Sequence, residues 1–131
     1  MKILLTLELV NEPTSAKNIE IQKTIMNSHP EYNLVVVNRE FLTDEEILEE
    51  NKRNHELGEQ IFHIKLHDEC IGILNYLPRN PNDQKPWIGL FVIHRDHEGK
   101  GFGSEVLGIF EAQLREQDVH LVRLGVHIGN Q

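Results

Sequence analysis

The sequence predicts one α/β domain of the α+β type over residues 1–131, with a mixed sheet and the element order β-α-α-β-β-β-α-β. Three observations carry this. Ile61 to His67 alternate apolar and polar, Asp68-Glu69 turns the chain, and Cys70 to Leu77 returns as the next strand, which makes an antiparallel hairpin. Trp87 to Ile93 is apolar on both faces, which marks a central strand covered on both sides. From Phe102 the apolar residues switch to a helical period, and a second two-faced strand follows. Strand, glycine loop, helix and strand then form a right-handed crossover between parallel neighbours.

The first strand is read from Ile3, Leu5, Leu7 and Leu9 and ends at Asn11-Glu12-Pro13. Thr14 or Ser15 caps a helix carrying Ala16, Ile19, Ile21, Ile25 and Met26, which Ser28-His29-Pro30 closes. Leu34 to Val37 is β-branched, and its pattern leaves open a short extra strand or the buried side of a loop. Thr43-Asp44-Glu45-Glu46 is a capping box. The acidic helix it starts touches the core only through Ile47, Leu48 and Leu57, and Gly58 stops it.

The hairpin comes next: Phe62, Ile64 and Leu66 share one face, His63, Lys65 and His67 the other, and Cys70 to Leu77 is the returning strand. Pro78, Pro81 and Pro86 flank a surface loop before Trp87. After the crossover helix, with Phe102, Val106, Phe110 and Leu114 every four residues, Asp118 leads into a last strand, Val119 to Ile128.

Composition narrows the function. The length suffices for a core without disulfides, and the single cysteine, Cys70, excludes an internal disulfide framework, so a reducing, cytoplasmic setting is expected. The start, MKILLTLELV, lacks a small-residue cleavage site and is interrupted by Thr6 and Glu8, so it reads as a strand, not a signal peptide. No apolar run reaches membrane length, and no membrane partner is expected. Thirteen basic against twenty-one acidic side chains give a net charge of −8, which argues against nucleic acid and suits a cationic amine.

The chemistry concentrates where the strand from Trp87 meets the helix. Gly99, Gly101 and Gly103 stand at alternate positions, and a strand–glycine loop–helix junction aims backbone N–H groups and a helix N-terminus at one anion. The P-loop pattern lacks its lysine-serine or lysine-threonine pair, and the glycine spacing is not that of the dinucleotide fingerprint.

His94-Arg95-Asp96-His97-Glu98-Gly99-Lys100-Gly101-Phe102-Gly103-Ser104 resembles the coenzyme A loop of the GNAT superfamily of acyl-CoA N-acyltransferases, whose pattern is Gln/Arg-x-x-Gly-x-Gly/Ala. Leu90-Phe91-Val92-Ile93-His94 is similar to the family's fourth strand, whose end carries a bulge. Leu124 to Asn130 is similar to its fifth strand with the asparagine that follows. The resemblance covers essentially the whole chain and implies a GNAT-like mixed sheet. It also implies acetyl-CoA as co-substrate with no metal, and direct attack by a small-molecule or peptide amine. The coenzyme site it implies comprises Val92, Ile93, His94, Glu98, Gly99, Lys100, Gly101, Phe102, Gly103, Ser104 and Asn130. The backbone of Val92 or Ile93 would donate to the developing oxyanion where the strand splays from its neighbour.

Two departures from the family pattern stand out. Glu98 occupies a position that is Gln or Arg in the family and adds negative charge beside the pyrophosphate, so weakened binding is expected. Arg95 and Lys100 are placed to offset it, and the side chain is free to turn into solvent. In the family a further helix and two strands follow Asn130, the helix usually carrying a tyrosine acid; Tyr32 and Tyr76 lie elsewhere. The fold is therefore expected to be C-terminally incomplete, either as a truncated copy or completed by a partner. A homodimer through the exposed last strand follows from that expectation. The alternative is a catalytically inactive coenzyme A-binding or self-associating protein of the same fold.

No carboxylate lies on the strand from Trp87 to Ile93 to act as base, which leaves His127 and His94 as catalytic candidates, though the absence of a visible partner to tune either favours a half-exposed histidine without a task. A metal site is not supported: His63 and His67 are four residues apart on a strand, roughly 13 Å at strand rise, and His94 and His97 sit where the coenzyme belongs. Cys70 reads as a small core residue, Trp87 as core or cleft wall, and the acidic helix as a solvated face. The resemblance alone gives Glu45, Glu46 and Glu49 a place near an amine acceptor.

Overall fold

A computed structural model describes residues 4–128, with residues 126–128 described by their backbone alone. The elements are β1 (Leu5–Leu9), α1 (Ala16–Met26), α2 (Pro30–Val37), α3 (Asp44–Glu56), β2 (Gln60–Leu66), β3 (Glu69–Leu77), β4 (Trp87–Ile93), α4 (Phe102–Glu116) and β5 (Arg123–Ile128). A short 3-10 turn, Arg95–His97, joins β4 to the loop before α4. The five strands lie in the order β1-β2-β3-β4-β5, antiparallel except for the parallel pair β4-β5. This is the GNAT-like mixed sheet that the sequence predicts.

Apolar layers cover both faces. Phe102, Val106, Phe110 and Leu114 of α4 pack on Ile64, Leu74, Tyr76 and Phe91, with Phe110 edge-on to Tyr76 at 5.1 Å. On the other face Ile25 and Met26 of α1 meet Ile61, Ile73 and Val92. Burying one such aliphatic or aromatic side chain contributes about 1.5–3 kcal/mol, so these layers hold α1 and α4 against opposite sides of β4.

Several expectations need correction. The patch Leu34 to Val37 is neither strand nor buried loop: Pro30 opens a helix at its first position, and Val35 stands 85% exposed. Three helices therefore precede β2, not two. In α3 the capping box at Thr43 is present, but Leu57 is exposed. The helix is held to α1 by Ile47 and by buried Asn51, which donates to Gln22 Oε1 (2.9 Å) and the Pro13 carbonyl (2.9 Å).

The hairpin turns at His67-Asp68, one residue earlier than expected, because His67 takes a positive φ of 56° and Leu66 pairs with Glu69. The last strand starts only at Arg123, since the N–H of Val119 still donates to the Leu114 carbonyl (2.8 Å) and ends α4.

β4 also differs from expectation. Asn75 faces Leu90 and Tyr76 faces Ile88, so Gly89 is the extra residue, and the irregularity lies near the start of the strand, not at its end. Against β5 the register runs unbroken to Val92 and Ile128, so the two strands do not part at Val92 within the described residues.

Candidate functional site

The turn after β4 is fastened before the glycines begin. The backbone N–H of Arg95 donates to Ser28 Oγ (3.1 Å) and its Nε to the Ser28 carbonyl (2.6 Å), while its Nη2 pairs with Glu31. Buried His29 donates from Nε2 to the Ile93 carbonyl (2.7 Å), and Arg95 Nη2 lies 3.5 Å from its Nδ1. The α1–α2 junction thus grips both sides of the β4 terminus, a role for His29, Ser28 and Glu31 that no sequence pattern announces.

The loop then places Gly99 at φ 77° and Gly101 at φ 80°. A Cβ on either would meet no heavy atom within 4 Å, so the need for glycine here is conformational. Gly101 is the N-cap of α4 and has no side chain to satisfy the first turn; only the N–H of Glu105 returns to its carbonyl (3.3 Å). The N–H groups of Phe102, Gly103 and Ser104 have no intrahelical acceptor, as in any first helical turn. Buried Phe102 and Gly103 fix the helix against the sheet, while Lys100 and Ser104 stay exposed. This cradle fits a pyrophosphate: open space, backbone donors, a helix dipole and one free lysine.

Glu98 does not turn into solvent. Its carboxylate lies 3.7 Å from Arg95 Nη1, and its side chain is only 27% exposed. The cation expected to offset it does so, from the same turn. His94 helps to shape the same turn, since the N–H of Asp96 donates to its Nδ1 (3.0 Å). His127 is in backbone register with Phe91, while its side chain, like Asn130 as a whole, lies outside what is described.

The tyrosines stand away from the loop. Tyr76 is in the core against Phe110 and Tyr32 is on α2, and burial raises the pKa of both. Cys70 is half-buried, donates weakly to the Gly72 carbonyl (3.4 Å) and has its pKa pushed up to about 11 by burial, so it is a neutral thiol. Trp87 is a cleft wall with the Arg123 guanidinium 5.5 Å from its ring centroid. On α3, Glu46 is tied to the capping box and to Arg39, leaving Glu45 and Glu49 exposed. Among the described residues no three His, Cys, Asp or Glu side chains converge as a metal site, and no helix is long and apolar enough to cross a membrane.

The family model of the acetyltransferase (GNAT) family matches residues 22–131. The chain belongs to that family. No curated protein matches this GNAT domain. Among solved structures, an acetyltransferase from Thermus thermophilus is similar at 25% identity and TM-score 0.69, over 88% of this chain and 73% of that one. A chimera of the spermidine N-acetyltransferase SpeG from Vibrio cholerae shares the fold at 19% identity and TM-score 0.64, over 92% of this chain and 68% of that one. An aminoglycoside N-acetyltransferase in complex with CoA shares it at 9% identity and TM-score 0.58, over 96% and 78%. Acyl transfer is the family's general activity, and the glycine loop of this GNAT domain falls inside the matched residues.

Proposed function

We propose that this domain transfers the acetyl group of acetyl-CoA to the amine of a small, cationic acceptor. The observation that carries the reading is the cradle at the N-terminus of α4, where residues 99–104 present backbone donors and two glycines in the left-handed region. The aminoglycoside acetyltransferase that shares the fold is described with CoA, and the SpeG chimera is named for spermidine; both support the ligand classes.

Acetyl-CoA supplies an acyl group activated as a thioester. The cradle and Lys100 hold the pyrophosphate, and Arg95 offsets part of the Glu98 charge that opposes it. The N–H of His94 donates to the Ile71 carbonyl (2.7 Å), so the N–H of Val92, two residues back, also points toward β3, and that of Ile93 toward β5. Ile93 is therefore the oxyanion donor of the pair. Because β4 and β5 are paired through Val92 and Ile128, the thioester arm must open the end of this pair to reach it.

The attacking amine is neutral when its nitrogen bonds to the carbonyl carbon. Its proton passes to His127, in register with Phe91 beside the reacting strand, as the carbon–sulfur bond breaks. His94 holds the turn instead.

A thermal-shift titration with acetyl-CoA tests the cradle, since a ligand that binds only the folded state raises the midpoint. Wild type shifts upward and Gly101→Glu does not. A retained shift in the variant means the phosphates sit elsewhere, and no wild-type shift at millimolar coenzyme removes the reading. Thiol release with a panel of amines then reports turnover. Spermidine is the first acceptor in the panel.

One observation favours a second reading, coenzyme binding without turnover in a self-associating chain. β5 is the sheet edge among the described residues, with Leu124 on it 43% exposed and Leu121 just before it 81% exposed. A concentration-dependent dimer with a coenzyme shift but no thiol release supports it.

A further inference from the structure

A cavity of about 520 Å³ lies between α1 and the strands β1, β2 and β3, closed at one end by the turn after β4. It stands on the α1 face of the sheet, whereas the glycine cradle opens at the N-terminus of α4, which packs on the opposite face. The acyl-transfer reading makes no use of it.

Two imidazoles form its polar interior. His63 of β2 lines the cavity, is only 4% exposed, and has no hydrogen-bond partner among the described residues. Burial lowers its pKa, so its ring enters as a neutral group with a lone pair to offer. His97 lines the same space with a buried Nδ1 that has no partner, while its Nε2 lies 3.7 Å from Glu69. A buried polar atom left unpaired keeps the full penalty of its lost hydration, and a ligand donor at His97 Nδ1 would remove that penalty.

Unmatched charge in the lining is mainly acidic, three carboxylates against the single cation Lys17. Glu8 is neutralised by Lys65 at 3.2 Å and Glu20 by Lys23 at 3.1 Å. Asp68 and Glu69 on the hairpin and Asp96 on the turn have no lysine or arginine partner among the described residues. Ile21, Ile25 and the neutral Cys70 thiol give the cavity an apolar wall.

We propose that this cavity binds a small organic cation, a primary ammonium carried on a short carbon chain. An ammonium brings three N–H donors, which the two imidazole lone pairs and the carboxylates at the mouth accept, and the chain lies along the isoleucines. An anion of the same size meets three unpaired carboxylates against the one lysine, Lys17. A bare metal ion lacks its ligand set, since no three metal-binding side chains converge among the described residues.

The test is isothermal titration of the full chain with n-butylamine and with butyrate, its anionic counterpart, in the absence of coenzyme. Butylamine binds and butyrate does not. The double variant Asp68→Asn, Glu69→Gln weakens butylamine about tenfold, in keeping with two solvated ion pairs. Both side chains are exposed, so this variant keeps its fold. His63→Phe weakens butylamine as well and is checked by circular dichroism, the double variant standing alone if it unfolds. No heat with butylamine at about 10 mM, equal binding of butyrate, or binding indifferent to the double variant overturns the proposal. None of these outcomes depends on acetyl transfer, so a chain that fails to acetylate leaves this result as it stands.

Discussion

Nε2 of His29, at the junction of α1 and α2, sits 2.7 Å from the carbonyl oxygen of Ile93, the last residue of β4. His29 is 2% exposed and Ile93 fully buried, so no solvent replaces this bond if the imidazole is lost. His29→Leu leaves a buried carbonyl unpaired and is expected to cost about 1–3 kcal/mol in urea unfolding. It also removes the ring that accepts from Arg95, so the turn carrying Glu98 loosens. A cost below about 0.5 kcal/mol would mean that a water has taken the place of the ring.

Gly72 and Gly108 behave oppositely on substitution by alanine. A Cβ at Gly72 would stand 2.6 Å from the Val92 carbonyl oxygen and 3.0 Å from Ile64 Cδ1, and the backbone atom has no room to retreat within the sheet. Gly72→Ala is expected to destabilise by about 1–3 kcal/mol. At Gly108, inside α4, a Cβ meets nothing within 4 Å, so Gly108→Ala stabilises by about 0.5–1 kcal/mol through helix propensity alone. Paired denaturation curves measure both, and equal signs for the two variants would contradict the packing at Val92.

The sheet and the glycine loop were legible because their signals are local. Alternation in 61–66 fixes a strand by itself, and the fourfold spacing of Phe102, Val106, Phe110 and Leu114 fixes the buried face of α4. α2 was not legible, since Leu34 to Val37 is β-branched and its helicity rests on Pro30 at the first position and Asn33 bonding to the Glu40 carbonyl (2.9 Å). The Gly89 irregularity is a matter of register between strands, which a single strand's pattern does not encode. The same holds for the grip on Arg95, whose partners lie more than sixty residues upstream. His63 read as one histidine on a polar strand face; only the fold shows that α1 roofs it over and leaves it unpaired.

Glu98 brings a carboxylate to the entry of the cradle, and Arg95 at 3.7 Å cancels only part of its charge toward a pyrophosphate. Glu98→Gln is expected to tighten acetyl-CoA about two- to fivefold at low salt, the range of a partly solvated charge interaction. Raising ionic strength to about 0.5 M should shrink the difference, because exposed charges are screened over a few ångströms there. Equal affinities at low salt would show that the pyrophosphate never approaches this corner of the loop.

Glu59, between Gly58 and β2, has a buried Oε1 without a partner, and its pKa is raised from 4.5 to about 7. Burial is the main cause and the nearby Glu50 charge adds to it, while Asn54 opposes both. A raised pKa means the folded chain holds this proton more tightly than the unfolded one. The stabilisation is complete below pH 4.5, falls as the unfolded carboxyl ionises, and is gone once pH passes about 7. Glu59→Gln keeps the shape and removes the titration. The variant should match wild type near pH 4.5 and exceed it by about 1–2 kcal/mol at pH 8, less than the full shift implies because the residue is partly exposed. Urea midpoints of both proteins at the two pH values decide it, and a difference that does not change with pH would mean that Glu59 ionises as freely in the fold as outside it.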